Sequence, residues 1–344
     1  TRVDTVGNLF GRYGGTVPGM KTLLSGSHLD AVPEGGKYDG PLGVLGALEA
    51  ARSLHESGNR HPLEVVAFTA EEGGEMGGTF GSRCFAGAVK MDHLPPENVM
   101  NSLGLSRKRI MESRGNPEEY GAYLELHIEQ GPVLEIERKH IGIPHAISGI
   151  TRYSVAVDGI ANHAGTTPME RRSDAMKQAA EIMREWYDFA FSSTGFVSNI
   201  GVLKVSPGSP AIIPGRVEFV LEIRSTDRGL VERGAEKMHC LLDSIKKPMS
   251  GSMSLMIDKA PAYLDPFLRK MIASACDEAG YSHCELPSGA MHDAAPLSGI
   301  IPSAMIFIPS KGGISHSRDE YSEPQDIGDG VEILERTLQA LDRR

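Results

Sequence analysis

The sequence predicts an α/β protein: a main domain on a mixed, largely parallel sheet, interrupted by an inserted ferredoxin-like α+β domain. Three observations carry this. Apolar runs at 22–27 and 63–69 flank a helical pattern at 41–55, and strand, helix, strand in that order implies a βαβ unit with parallel strands. From 151 to 257 the order becomes strand, helix, strand, strand, helix, strand, which is the ferredoxin-like order. After Asp265 the first pattern resumes. A chain of 344 residues also has room for about two domains. The expected boundaries are 1–147 with 263–344 for the main domain and 148–262 for the insert.

Each element has a local reason. Val6 to Tyr13 reads as a strand interrupted by glycine, ending in a turn at Gly14-Gly15. Residues 22–27 form a buried strand running into His28. The helix over 41–55 places Val44, Leu45, Leu48, Ala51 and Leu54 on one face, and Gly58 closes it. The strand over 63–69 is followed at once by Glu71-Glu72, and the glycine-rich 73–81 is a loop. Residues 86–120, mostly polar with Pro95-Pro96, are short helices and loops. A third strand over 123–128 ends in Glu129-Gln130-Gly131-Pro132. In the insert, strands are expected over 151–158, 196–205, 216–226 and 253–257. Helices fall over 174–190, with Asp174 as N-cap, and over 229–245. The last part holds a helix to Ala279, a short strand near His283, a strand over 303–308 and a helix over 327–341.

Composition narrows the function classes. Hydrophobic residues make up 40% and charged residues 23%, ordinary for a soluble globular protein. A net charge of −10 disfavours nucleic-acid binding, which calls for a basic face. No stretch approaches the ~18 apolar residues of a membrane span. Cys84, Cys240, Cys276 and Cys284 lack metal-like spacing and read as buried, reduced thiols of a cytoplasmic protein. No secretory leader is legible, and the chain opens at Thr1 without a methionine.

The chemistry collects at strand ends. His28, Asp39, Glu71, Glu72, His127 and His316 each follow, or close, an expected strand, and α/β sheets place their sites there. Residues distant in sequence converge if their strands lie side by side. Two divalent ions about 3.5 Å apart need a bridging anion and further ligands on each. Asp39 is suited to bridge, with Glu72 and the histidines filling the other positions. Imidazole with carboxylate suits zinc or manganese. Glu71 is then free to act as general base toward an attacking water. Asp30, two residues after His28, either accepts that ring's second N–H or is a plain turn residue.

Five segments resemble the zinc aminoacylase/carboxypeptidase superfamily: GSHLDAVPEGGKYDGPLGVLGALE, FTAEEGGEMGGTFGSRCFAG, LELHIEQGPVLE, GIANHAGTTPMERRSDA and MIFIPSKGGISHSRDEYS. More closely, the chain resembles the branch of N-carbamoyl-L-amino acid hydrolases, allantoate amidohydrolases and ureidoglycolate amidohydrolases. The resemblance implies a metallopeptidase-like catalytic domain with two divalent ions per subunit, zinc or manganese. It implies His28, Asp39, Glu72, His127 and His316 as ligands and Glu71 as the base. It further implies that the insert forms a homodimer and closes over the site, with His163 reaching the partner's site to polarise the substrate carbonyl. Arg224 is implied as the anchor for a substrate carboxylate, through two parallel hydrogen bonds. Gln130, Asn199 and His292 match positions that contact substrate or line the site.

Three features depart from the branch. Relatives are expected to carry a helical segment before Thr1. Ala211 stands where Asn is common, and Glu75-Met76 replaces an Arg-Phe often found after the paired glutamates. The expected reaction is hydrolysis of the ureido C–N bond of an N-carbamoyl-L-amino acid, a small-molecule ureido acid. Allantoate or ureidoglycolate hydrolysis is the first alternative, and peptide or N-acyl amino acid hydrolysis the second. A binding protein with a structural metal is the third. That last reading calls for a closed four-coordinate site with no spare base, and Glu71 argues against it.

Overall fold

The computed structural model describes all 344 residues, and its contacts divide the chain into two units. One comprises Thr1–Ile147 and Ala262–Arg344, the other Ser148–Pro261. The first unit holds β1 (Arg2–Val3), β2 (Leu9–Tyr13), β3 (Thr22–His28), β4 (Leu63–Phe68), β5 (Tyr120–Ile128) and β6 (Ile141–Ile147). The second holds β7 (Gly149–Asp158), β8 (Val197–Ser206), β9 (Arg216–Ser225) and β10 (Ser250–Lys259). The first resumes with β11 (Ala262–Tyr263), β12 (His283–Ser288) and β13 (Ser303–Ile308).

In the first unit the sheet order is β1-β2-β4-β3-β5-β13-β6-β11, with β12 added on β6. β4, β3, β5 and β13 are successive parallel neighbours, flanked by antiparallel β2 and β6. The sheet is mixed and largely parallel. Side chains alternate across it. Leu23, Val65, Leu124 and Ile306 pack on one face with the helices Pro41–Glu56, Pro266–Ala279 and Pro324–Asp342. Leu24, Val66, Tyr123 and Met305 pack on the other with Phe10, Phe85 and Leu297. Burial on both faces explains why these strands read as continuous apolar runs.

The inward face of the helix Pro41–Glu56 includes Val44, Ala51 and Leu54 as expected but is turned away from Leu45 and Leu48. Leu45 is 64% and Leu48 45% exposed, while Leu42, Gly43, Val44, Ala47, Ala50, Ala51 and Leu54 are buried. A Cβ on Gly43 would lie 2.4 Å from the Leu126 carbonyl oxygen. The helix therefore packs through its smallest residues, and close backbone approach, not side-chain apolarity, marks the inward stripe.

Four strands differ from expectation, among them β1 and β11, two residues each and too short to carry a pattern. β6 was not predicted, because Gly142, Pro144 and His145 break its apolar run. β10 is ten residues long rather than the expected 253–257, since it is an edge strand whose serines escape an apolar search. Of the four cysteines, Cys84 and Cys276 are buried and Cys284 half-buried. Cys240 is exposed, contrary to its reading as a buried thiol.

The second unit is an antiparallel sheet in the order β10-β7-β9-β8, the ferredoxin-like arrangement. The helices Ala175–Ser192 and Arg228–Asp243 cover one face around Trp186, Val157, Phe219 and Leu221. Asp174 caps the first by accepting the Met176 and Lys177 N–H groups. On β9, Glu218, Val220, Glu222 and Arg224 alternate with the buried Val217, Phe219, Leu221 and Ile223. No helix of the chain is long and apolar enough to cross a membrane.

Candidate metal centre and active site

Because β4, β3, β5 and β13 are adjacent and parallel, their C-terminal ends lie together. His28 ends β3, Glu71-Glu72 follow β4, His127 is the penultimate residue of β5 and His316 follows β13. Asp39, on the loop after β3, is the hub. Its Oδ1 lies 3.2 Å from His127 Nε2 and 3.5 Å from His28 Nε2. Its Oδ2 lies 3.2 Å from His316 Nε2, which is itself 3.4 Å from Glu72 Oε2. Three groups have metal-ligand spacing: His28/Asp39/His127 and Asp39/Glu72/His316, with Asp39 common to both, and Glu125/His127/His292, which shares His127 with the first and lies behind it.

The buried imidazoles are oriented by main chain. His28 Nδ1 lies 2.9 Å from the Asp30 carbonyl oxygen and His127 Nδ1 2.9 Å from the Ile128 carbonyl oxygen. A carbonyl only accepts, so each Nδ1 carries the proton and each Nε2 is left to offer a lone pair. Asp30 thus serves His28 through its backbone. Its carboxylate instead accepts the N–H groups of Glu71 at 3.2 Å and Glu72 at 3.1 Å. It fixes the acid pair as well as the imidazole.

Charges in the cluster perturb one another strongly. Burial pulls the His28 imidazole down, yet the Asp30 and Asp39 carboxylates outweigh it and push it up to about 12. Burial also opposes ionisation of Asp39, but His127 and His28 hold its carboxyl far below the usual range. Glu71 moves the other way. Burial, with repulsion from Asp293, Glu72 and Glu125, pushes it up to about 9 against the pull of His28. Glu71 is 7% exposed, 3.9 Å from His28 Nε2, and belongs to none of these groups.

The loop behind the acid pair is closed by backbone bonds from Thr79 N–H to the Glu71 carbonyl, 2.7 Å, and from Phe80 N–H to the Ala70 carbonyl, 3.0 Å. Arg83 braces it by donating to the Gly78 and Met76 carbonyls at 2.9 and 2.7 Å. Gly40, at φ +82°, sits against the His28 ring, and a Cβ there would fall 2.5 Å from Nδ1. Gly40→Ala combines a left-handed strain of about 1–2 kcal/mol with a displaced imidazole. It is expected to weaken metal uptake at least about tenfold, read by calorimetric titration, with little change in circular dichroism.

The remaining candidates fall in different places. Gln130, at φ +58°, donates from Nε2 to Asp39 Oδ2 at 2.6 Å. His292 is 1% exposed, lies edge-on to His127 with centroids 4.5 Å apart and bonds Ser288 Oγ at 2.8 Å. Burial, with His127 beside it, holds His292 well below its ordinary pKa, hence neutral. His163, Asn199 and Arg224 lie in the second unit. His163 is exposed, and its Nδ1 accepts the N–H groups of Gly165 and Thr166 at 3.0 and 3.2 Å. With Nδ1 accepting, Nε2 is left to carry the ring N–H. Arg224 Nε donates to Glu222 Oε1 at 2.8 Å, and Asn199 sits opposite Glu222 in the β8–β9 register.

Three buried acids escaped the sequence reading. Glu125 accepts Ser27 Oγ–H and the Ala294 N–H, both at 2.8 Å. Asp293 accepts Ser82 Oγ–H at 2.5 Å, and burial with Glu125 nearby pushes it up to about 7. Glu320 contacts the Asp39 loop. Glu125 and Asp293 had one signal, a charge inside or beside an apolar stretch, and Glu320, within the polar SHSRDEYSEP, had none.

The family model for "Peptidase family M20/M25/M40" matches residues 24–340. The chain belongs to this family. Among its M20/M25/M40 relatives is the N-carbamoyl-L-amino acid amidohydrolase of Geobacillus stearothermophilus. It is 38% identical over 98% of this chain and 86% of that protein. The ureidoglycolate hydrolase of Arabidopsis thaliana is 35% identical, over 99% of this chain and 76% of its own length. A crystal structure of an amidase of the hydantoinase/carbamoylase family from Burkholderia multivorans superposes with a TM-score of 0.86 at 32% identity. It covers 98% of this chain and 85% of that one. The chain is therefore an M20/M25/M40 amidohydrolase, of the N-carbamoyl-L-amino acid hydrolase and allantoate amidohydrolase branch.

Proposed function

We propose that this amidohydrolase cleaves the ureido C–N bond of N-carbamoyl-L-amino acids, giving the amino acid, ammonia and carbon dioxide. The observation that carries the reading is the division of Asp39, one oxygen toward His28 and His127, the other toward His316. The donor set fits two divalent cations. Three imidazoles and two carboxylates are the hard and borderline donors that zinc and manganese take. His127 Nε2 and Glu72 Oε1 are buried without a hydrogen-bond partner, an expensive arrangement that cation ligation relieves. In the proposal His28, Asp39 and His127 hold one ion and Asp39, Glu72 and His316 the other.

Cations held by these residues would supply Lewis acidity, lowering the pKa of a water and drawing charge from the carbamoyl oxygen. Glu71 takes the proton from the attacking water and delivers it to the leaving nitrogen. His163, presenting Nε2–H, donates to the developing oxyanion from a second copy of the chain, an electrostatic contribution of about 3 kcal/mol for one such donor. Arg224 anchors the substrate α-carboxylate, held in orientation by Glu222, and Asn199 and Gln130 hydrogen-bond the substrate. His292 lines the site behind His127.

The similarity to the G. stearothermophilus enzyme favours N-carbamoyl amino acids, and that to the A. thaliana enzyme keeps ureidoglycolate as the second reading. Ammonia release from N-carbamoyl amino acids, allantoate and ureidoglycolate, measured with zinc and with manganese, separates them. The expected result is turnover of N-carbamoyl-L-amino acids with either metal. Turnover of allantoate or ureidoglycolate alone overturns the preferred substrate.

A further inference from the structure

We propose that Glu320 is a positioning residue that sets the spacing of the two metal positions by tying the Asp39 loop to the His316 loop. This rests on the reading above that the two ligand groups hold cations. Glu320 is 4% exposed, yet its carboxylate has neither Lys nor Arg beside it among its hydrogen-bond partners. Oε1 accepts the backbone N–H groups of Tyr38 at 3.0 Å and Asp39 at 3.1 Å. Oε2 accepts the Ser315 hydroxyl at 2.7 Å. A buried carboxylate is tolerated when several donors converge on it, and here the donors come from two separate loops.

Those loops carry ligands. Asp39 is common to both groups, and Ser315 precedes His316. The Ser315 hydroxyl has one proton, and Glu320 Oε2 at 2.7 Å competes for it with Asp39 Oδ2 at 3.3 Å. The shorter bond takes the proton, leaving Asp39 Oδ2 to His316 and Gln130. The packing is tight: a Cβ on Gly36 would fall 2.1 Å from Glu320 Oε1.

The two ligand groups differ in how they are supported. His28 and His127 are buried in strands and oriented by main-chain carbonyls. His316 has a side chain 51% exposed, stands at φ +53° and belongs to a loop. Loss of Glu320 therefore weakens the Asp39/Glu72/His316 position far more than the His28/Asp39/His127 position, whose two imidazoles are fixed by strands.

The test is calorimetric titration of chelator-stripped protein with Mn2+ alone, with electron paramagnetic resonance to detect coupled ion pairs. The parent is expected to take two ions per chain. Glu320→Ala should keep the affinity for the first and weaken the second by about 10–100-fold, losing the coupled signal. Glu320→Gln should restore most of the second affinity. Its amide oxygen still accepts both backbone N–H groups, and its NH2 donates to Ser315 Oγ. Unchanged affinity for both ions in Glu320→Ala overturns the inference while leaving the two-ion reading intact. A parent that takes one ion overturns both. Should Glu320→Ala not fold, Ser315→Ala cuts the 2.7 Å tie to the His316 loop, with the longer contacts to Asp39 Oδ2 and Gln130 Nε2, and leaves both backbone N–H bonds to Glu320 in place. A weakened second ion there supports the inference, and an unchanged one overturns it.

Discussion

Glu71→Gln is expected to lower kcat by about a thousandfold, the middle of the range for a lost general base, while metal content stays at the parent level. The substitution isolates chemistry from structure. Without cations Glu71 has its pKa pushed up to about 9, so at neutral pH the side chain is already a neutral acid. An amide of the same shape then changes neither charge nor packing, and stability should hold. Cations bound beside it favour the carboxylate. The acidic limb of the kcat/KM profile should therefore belong to Glu71 and be missing from the residual rate of the variant. Metal analysis, rapid kinetics and a pH series together check this. Near-parental turnover would remove Glu71 from the mechanism.

Asp39→Asn is expected to reduce Mn2+ uptake from two ions to at most one and to lower turnover by about a thousandfold or more. That factor follows from several kcal/mol of charge stabilisation at about 1.4 kcal/mol per tenfold. Each Asp39 oxygen serves one ligand group, and an amide replaces one of them with an NH2 that cannot coordinate. The variant also withdraws one of the two carboxylates that chiefly raise His28, leaving Asp30 to oppose the pull of burial on that imidazole. A thermal-shift series with added Mn2+ reads the loss directly, because ligand-linked stabilisation grows with site occupancy. Two ions bound with parental affinity would rule out a bridging role.

Strand ends were the legible part of the site. β3, β4, β5 and β13 are buried on both faces and rich in apolar residues, so the polar residues at or beyond their C-terminal ends, His28, Glu71-Glu72, His127 and His316, stand out in the sequence. Parallel adjacency then brings those ends together. What stayed hidden was set by approach distance and by partnership. The face of the helix Pro41–Glu56 is chosen by Gly43 and its alanines, which carry no hydrophobic signature. β6 hides behind Gly142 and Pro144. Glu125, Asp293 and Glu320 look like ordinary surface acids until their donors, Ser27, Ser82 and Ser315, arrive from remote segments. The Asp30 carboxylate likewise serves Glu71 and Glu72, a pairing that proximity in sequence to His28 concealed.

The place of β13 between β5 and β6 bears on biosynthesis. Both neighbours leave the ribosome before the whole of Ser148–Pro261 is made, and the strand that joins them comes after it. Until then the apolar β5 offers an unpaired border, a template for wrong partners. Pairing across so long an intervening segment is slow, and an apolar border left open meanwhile is prone to aggregate. His316 lies beyond β13, so the emerging polypeptide cannot gather its full set of candidate ligands until the second unit and β13 have both been translated.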